Sequence, residues 1–207
     1  MDVRLVLCFL WALLATANAR PSSCYSRFPG QSNHEERRCG VWHDSCIAVQ
    51  EVNTVGGVVQ RGIFQSCTSS LHSLEGDLDF EFAEGVYVRV HSKICRETNC
   101  NTEEIKERSR LSVMPNGRQC PSCYVLGSHH CLQNNILHCQ GAANQCVDVV
   151  GTVLENDVHL PFAGRGCATK DVAKIKAGMG LMSGLYIYQI KSIQLSPAPK
   201  AENVNNF

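Results

Sequence analysis

Cys120-Pro-Ser-Cys123, with His129, His130 and Cys131 close behind, has the residue types and spacing of metal or redox chemistry. Thiolates and imidazoles at short spacing hold zinc, and a Cys-x2-Cys pair lowers thiol pKa values for disulfide exchange. Both uses need free thiols. His43-Asp44-Ser45 carries the three residue types of a hydrolase triad. A triad works by spatial convergence, which three adjacent residues cannot reach, and no Gly-x-Ser-x-Gly elbow is present. Between Ser69 and Glu84 stand Glu75, Asp77, Asp79, Glu81 and Glu84. Carboxylate oxygens suit calcium, but the EF-hand pattern is missing, so this stretch reads as a solvated acidic loop. No catalytic, cofactor-binding or metal-ligating residue is expected.

The fate of the thiols depends on the N-terminus. Met1-Asp-Val-Arg leads into an apolar run from Leu5 to Ala15, and Ala17-Asn18-Ala19 forms an A-x-A cleavage site. Residues 1–19 therefore read as a secretory signal peptide, too short for a membrane anchor. Cleavage before Arg20 removes Cys8, and the thirteen cysteines become twelve. An even number in an oxidising lumen points to disulfides rather than zinc or redox thiols. Six lie before residue 101 and six from Cys120 onward, so each half can close its own bridges.

Formal net charge is zero, and no basic stripe calls for nucleic acid or polybasic block for anionic lipid. The C-terminal stretch from Pro197 is polar, whereas a lipid-anchor signal ends in a hydrophobic tail. No membrane anchor is expected. There is no Asn-x-Ser/Thr sequon. Ile47 to Val52 and Val58 to Phe64 flank Asn53-Thr-Val-Gly56-Gly57 as a hairpin, and Val86 to His91 alternates as a strand. In the second half Val147 to Val153 is a strand, Glu155-Asn-Asp157 a bend, and Leu185 to Leu195 a final strand. Helical periods are scarce, which makes the class all-β.

The cysteine spacing repeats. Cys39, Cys46 and Cys67 keep the separations C-x6-C-x20-C, and Cys139, Cys146 and Cys167 keep them again 100 residues later. Equal spacing to the residue marks one small unit used twice. A leading cysteine, this triplet and the closing Cys95-Arg-Glu-Thr-Asn-Cys100-Asn101 resemble the Ly6/uPAR three-finger family. Three stretches in the second half, Pro115 to Cys123, Gly141 to Cys146 and Gly166 to Thr169, are similar to the second domain of gamma-type phospholipase A2 inhibitors.

The resemblance implies two small disulfide-rich three-finger (snake-toxin-like, Ly6/uPAR) domains in tandem. It implies bridges Cys24–Cys46, Cys39–Cys67 and Cys95–Cys100 in the first, and Cys120–Cys146, Cys123–Cys131 and Cys139–Cys167 in the second. Asn101 takes the family's role of hydrogen-bonding back into the disulfide hub. The expected boundaries are 1–19 signal, 20–101 first domain, 102–119 linker and 120–207 second domain. Arg27 and Ile94 stand where family cysteines are lost, and the second domain lacks both C-terminal bridges. The chain from Val172 onward is therefore expected to be the least ordered. Fingertips are the expected contact points: Asn53 to Gly57, His129 and His130, and Leu154 to His159. The partner implied is an extracellular protein, either a secreted phospholipase A2 blocked by occlusion or a cell-surface receptor or adhesion protein. A matrix-signalling ligand and an extracellular thiol or zinc enzyme are the rival classes.

Overall fold

In the first finger of each half, two strands meet at cysteines that tie them to the next hairpin. The computed structural model describes residues 20–102, 114–133, 135–155 and 158–201. The expected signal peptide, most of the expected linker and the bend at 156–157 lie outside the described residues. Six hairpin strands fill the first half: β1 (Ser23–Ser26), β2 (Glu35–Arg38), β3 (Ser45–Asn53), β4 (Gln60–Thr68), β5 (Gly76–Ala83) and β6 (Val86–Cys95). Six more follow: β7 (Pro115–Leu126), β8 (Asn135–Gln140), β9 (Gln145–Glu155), β10 (Val158–Ala168), β11 (Gly180–Met182) and β12 (Ile187–Pro197). Consecutive strands pair antiparallel as three hairpins per half. This is the three-finger plan built twice, in an all-β chain.

Six disulfides hold the bases of the fingers: Cys24–Cys46, Cys39–Cys67, Cys95–Cys100, Cys120–Cys146, Cys123–Cys131 and Cys139–Cys167. Asn101 is buried beside the first hub. Its amide nitrogen donates to the carbonyls of Tyr25 and Ile47, each at 2.9 Å, and its oxygen accepts from the Tyr25 amide at 3.0 Å. One side chain thus joins the first finger to the second. Asn101→Ala leaves these buried backbone groups without partners, so it should lower urea-unfolding stability by about 2 kcal/mol. An unchanged midpoint would contradict this role.

Three expectations are corrected by the fold. The acidic stretch is not a loop over its second half. Leu78, Phe80 and Phe82 are buried while Asp77, Asp79 and Glu81 alternate with them, which is the period of a strand with one face in the core. The expected linker ends early, because β7 begins at Pro115 and pairs with β8 from Pro115↔Gln140. The segment after Val172 is well packed despite lacking bridges. Val172 and Ile175 are fully buried, and β12 pairs with β9 from Ile187↔Leu154 to Pro197↔Gln145 while β11 covers its other edge. β11 reaches only Ile187–Gln189, and from Ile190 onward the long ladder with β9 holds β12 in register without a disulfide.

The two halves share a sheet and a core. β10 continues into β5 through Cys167↔Glu81 and Ala168↔Phe80, giving the order β11-β12-β9-β10-β5-β6-β3-β4. Val49, Phe64 and Val90 from the first half pack in one cluster with Val149, Phe162, Tyr188 and Ile190 from the second.

Candidate binding surfaces

The two halves meet at a buried seam that runs along β3. Ile47, Val49, Glu51 and Asn53 share one face of β3 by the two-residue period, and this face is buried. Glu51 is fully buried at the seam. Its carboxylate accepts from Asn53 Nδ2 at 2.7 Å, Tyr188 OH at 2.6 Å, the Leu185 amide at 3.1 Å and the Ser183 hydroxyl. Burial raises the Glu51 pKa, and these four donated hydrogen bonds oppose the rise without cancelling it. Tyr186 OH adds a bond to Gln60 Oε1 at 2.7 Å. Backbones touch where glycine permits. A Cβ on Gly184 would lie 2.1 Å from the Gly62 carbonyl oxygen, and one on Gly166 would lie 1.9 Å from that of Glu81.

Asn53, expected at an exposed tip, belongs to this seam. It is buried at the end of β3 and bonded to Glu51. The tip itself begins one residue later, where the Gly57 amide donates to the Thr54 carbonyl and Gly57 adopts φ +82°. Gly57, Val58 and Val59 are exposed.

In the second domain, two fingers lie side by side. β7 pairs with β10 from Phe162↔Leu126 to Arg165↔Cys123, and the Gly127 amide donates to the Pro161 carbonyl at 2.7 Å. His130 and His159 are exposed, Leu154 is half-buried, and His129 is half-buried with Nε2 enclosed and unpartnered. Leu154 and His159 are strand residues paired with each other rather than loop residues. Sequence reasoning missed the apolar members of this edge. Leu132 is 93% exposed, and Leu126 and Val158 are exposed too. Their signal was an apolar residue inside a polar turn, at Leu132 between Cys131 and Gln133 and at Val158 after Asp157.

A second apolar projection lies at the disulfide end of the first domain. Val41, Trp42 and Leu71 are exposed. Asp44 joins their two turns, accepting from the Ser70 amide and hydroxyl at 2.7 Å each. Those bonds, the Ser70 amide first, pull its pKa from 3.8 to about 2. Because the folded pKa is depressed, the stabilisation is present above about pH 4 and is lost as pH falls through 2. Fluorescence anisotropy of Trp42 should drop over that acid window, and Asp44→Asn should show the looser value at neutral pH. A flat acid titration would exclude the staple.

The suspected chemistries find other uses. Cys120, Cys123 and Cys131 are in disulfides. Among the described residues, two cysteine triplets lie close enough to share an ion, Cys24, Cys39, Cys67 and Cys120, Cys139, Cys167, and all are disulfide sulfurs. His43 Nδ1 accepts from the Gly40 amide, and Asp44 serves Ser70 and Ser45.

The u-PAR/Ly-6 domain model matches residues 21–103 and again 116–183, more than half of the chain. The chain belongs to the u-PAR/Ly-6 domain family. Protein RoBo-1 of Rattus norvegicus is 32% identical over 121 residues, 58% of this u-PAR/Ly-6 chain and 46% of that protein, so the match spans under half of RoBo-1. A phospholipase A2 inhibitor of the gamma type from Laticauda semifasciata is 25% identical over 156 residues, 71% of this chain and 81% of that protein. Phospholipase A2 inhibitor PIP of Malayopython reticulatus is 21% identical over 164 residues, covering 79% and 80%. The crystal structure of mouse TEX101 aligns over 88% of this chain and 98% of its own at 17% identity, with a TM-score of 0.36. No helix among the described residues is long and apolar enough to cross a membrane.

Proposed function

We propose that this u-PAR/Ly-6 protein is a secreted, non-catalytic binder that grips a protein partner with the adjoining fingers of its second domain. A secreted phospholipase A2 is the first target, inhibited by occlusion of its access surface. The observation that carries this reading is the side-by-side setting of β7 and β10, with Leu126, Leu132, Val158, His130 and His159 all exposed on the two fingers that these strands build. A disulfide-braced backbone loses little conformational freedom on docking. The relatives named as phospholipase A2 inhibitors, matched over some four-fifths of their length, support the choice of target. Occlusion asks for no reacting group on this chain.

The test is inhibition of a panel of secreted phospholipases A2 acting on micelles. One or more enzymes should be inhibited at micromolar protein. The pair Leu132→Asp and Val158→Asp should weaken inhibition about tenfold or more, as loss of central apolar contacts does. No binding to any enzyme, with capture instead by a receptor ectodomain, would retain the binder and remove the phospholipase.

A further inference from the structure

Val41, Trp42 and Leu71 are 75%, 86% and 87% exposed. Three large apolar side chains displayed together on a folded surface mark a site of interaction. The geometry here is preformed. Val41 and Trp42 occupy the middle of a turn closed by the His43 amide on the Gly40 carbonyl at 3.0 Å, with the Gly40 amide on His43 Nδ1. Leu71 sits in a second turn, closed by the His72 amide on the Ser69 carbonyl at 3.1 Å. The Cys39–Cys67 disulfide, the Asp44 amide on the Thr68 carbonyl and the Asp44 carboxylate on Ser70 fasten one turn to the other. The apolar side chains face water because the backbone under them is held that way.

Cationic groups border the projection. The Arg20 guanidinium donates to the Val41 carbonyl at 2.9 Å. Arg37 and Arg38, both exposed, end β2 and lead through Cys39 into the Gly40–His43 turn. Of the nearby carboxylates, Asp44 is bonded to Ser70 and Ser45, and Glu36 accepts from Ser23 at 2.6 Å with Arg38 close by. Both stay ionised, and the three guanidinium groups of Arg20, Arg37 and Arg38 outnumber them. Glu35 stands at the opposite end of β2 from the turn. No polybasic run exists in the sequence; the fold brings Arg20 onto the turn by bonding it to Val41, 21 positions further along the chain.

We propose that this turn pair docks on an anionic phospholipid surface. Tryptophan prefers the headgroup level of a bilayer, and guanidinium groups pair with phosphate in two-point hydrogen bonds. The projection is small and made of two short turns. A specific protein interface buries about 800 Å² on each partner, whereas insertion at a membrane interface needs only local apolar area and opposite charge. This docking is peripheral, needs no lipid anchor, and does not depend on the phospholipase reading.

Trp42 supplies its own test. The chain has two tryptophans, and the other, Trp11, lies in the expected signal peptide. The full chain is secreted from a eukaryotic host, its N-terminus is read by mass spectrometry, and the product is titrated with two kinds of vesicle. One contains phosphatidylcholine alone and the other about 30% phosphatidylserine. With the anionic vesicles, Trp42 emission should shift to the blue and be quenched by brominated acyl chains. Trp42→Ala with Leu71→Ser should abolish co-sedimentation, and Arg38→Glu should weaken it by about fivefold or more. Far-UV circular dichroism of these surface variants should match the parent. Unchanged emission with both vesicles, or equal binding to both, would overturn the proposal. A blue shift produced only by an added phospholipase would overturn it too, and would make the projection a protein contact.

Discussion

Gly166→Ala should split the molecule at its middle. The new Cβ would stand 1.9 Å from the Glu81 carbonyl oxygen and 2.9 Å from the Phe82 Cα, and both are backbone atoms of the other domain. No side-chain rotation relieves that clash, so β10 and β5 must move apart at Cys167↔Glu81. Overpacking of this kind costs about 3 kcal/mol or more. The cost falls on the seam rather than on either finger set, because each domain keeps its own three disulfides. Wild-type protein should unfold in urea as one transition, and Gly166→Ala as two with a larger scattering radius beforehand. A single unshifted transition in the variant would show that the close approach is not structural.

Glu51→Gln should weaken the same seam through hydrogen bonding. One carboxylate oxygen accepts from Asn53 and Tyr188, and the other from Ser183 and Leu185. Glutamine offers one oxygen and one amide nitrogen, so on the nitrogen's side the partners must turn from donating to accepting. The Leu185 backbone amide cannot do this, and the Tyr188 and Ser183 hydroxyls and the Asn53 amide do so only by reorienting inside a packed seam. Leaving partners of a buried acidic group unmet costs about 3 kcal/mol. The pH dependence carries a sign that separates this effect from simple packing loss. Glu51 has an ordinary value of 4.5 and is raised by burial in the folded state. The folded protein therefore keeps this proton to higher pH than the unfolded chain. The resulting stability is fully present below about pH 4.5 and drains away as pH rises through the folded value. The stability gap between wild type and Glu51→Gln should be widest below about pH 4.5 and narrow as pH rises through the folded value. A gap that widened with pH would mean that Glu51 is held mainly as a stabilised anion.

The frame of this molecule was legible because cysteine spacing is a one-dimensional record of hairpin length. C-x6-C-x20-C carries the reach of β3–β4 and of β9–β10 around their hubs, and Asn101 is marked by its place after Cys100. What escaped was set by contacts between the repeats. Glu51 reads in sequence as one polar residue in a strand, although its two-residue spacing from Ile47 and Val49 puts it on the inner face. The depth of that face follows from Tyr188 and Ser183, more than 130 positions away. The acidic run hid β5 because charge is conspicuous, while the alternation of Leu78, Phe80 and Phe82 is quiet. Val172 to Pro197 is weak by disulfide count, yet the burial of Val172 and Ile175 and the long ladder of β12 with β9 supply the order. At the surfaces, histidines at fingertips drew attention that belonged to single apolar residues in turns: Trp42, Leu71, Leu132 and Val158.

If the adjoining fingers of the second domain hold a protein partner, they should lose solvent access when it binds. Hydrogen–deuterium exchange on the protein, alone and with each secreted phospholipase A2 it binds, tests this most directly. Protection confined to residues 124–132 and 158–162, with the tip at residues 54–60 of the first domain unchanged, is the predicted footprint. Protection centred on that first-domain tip, with the second-domain fingers exchanging as in the free protein, would contradict it.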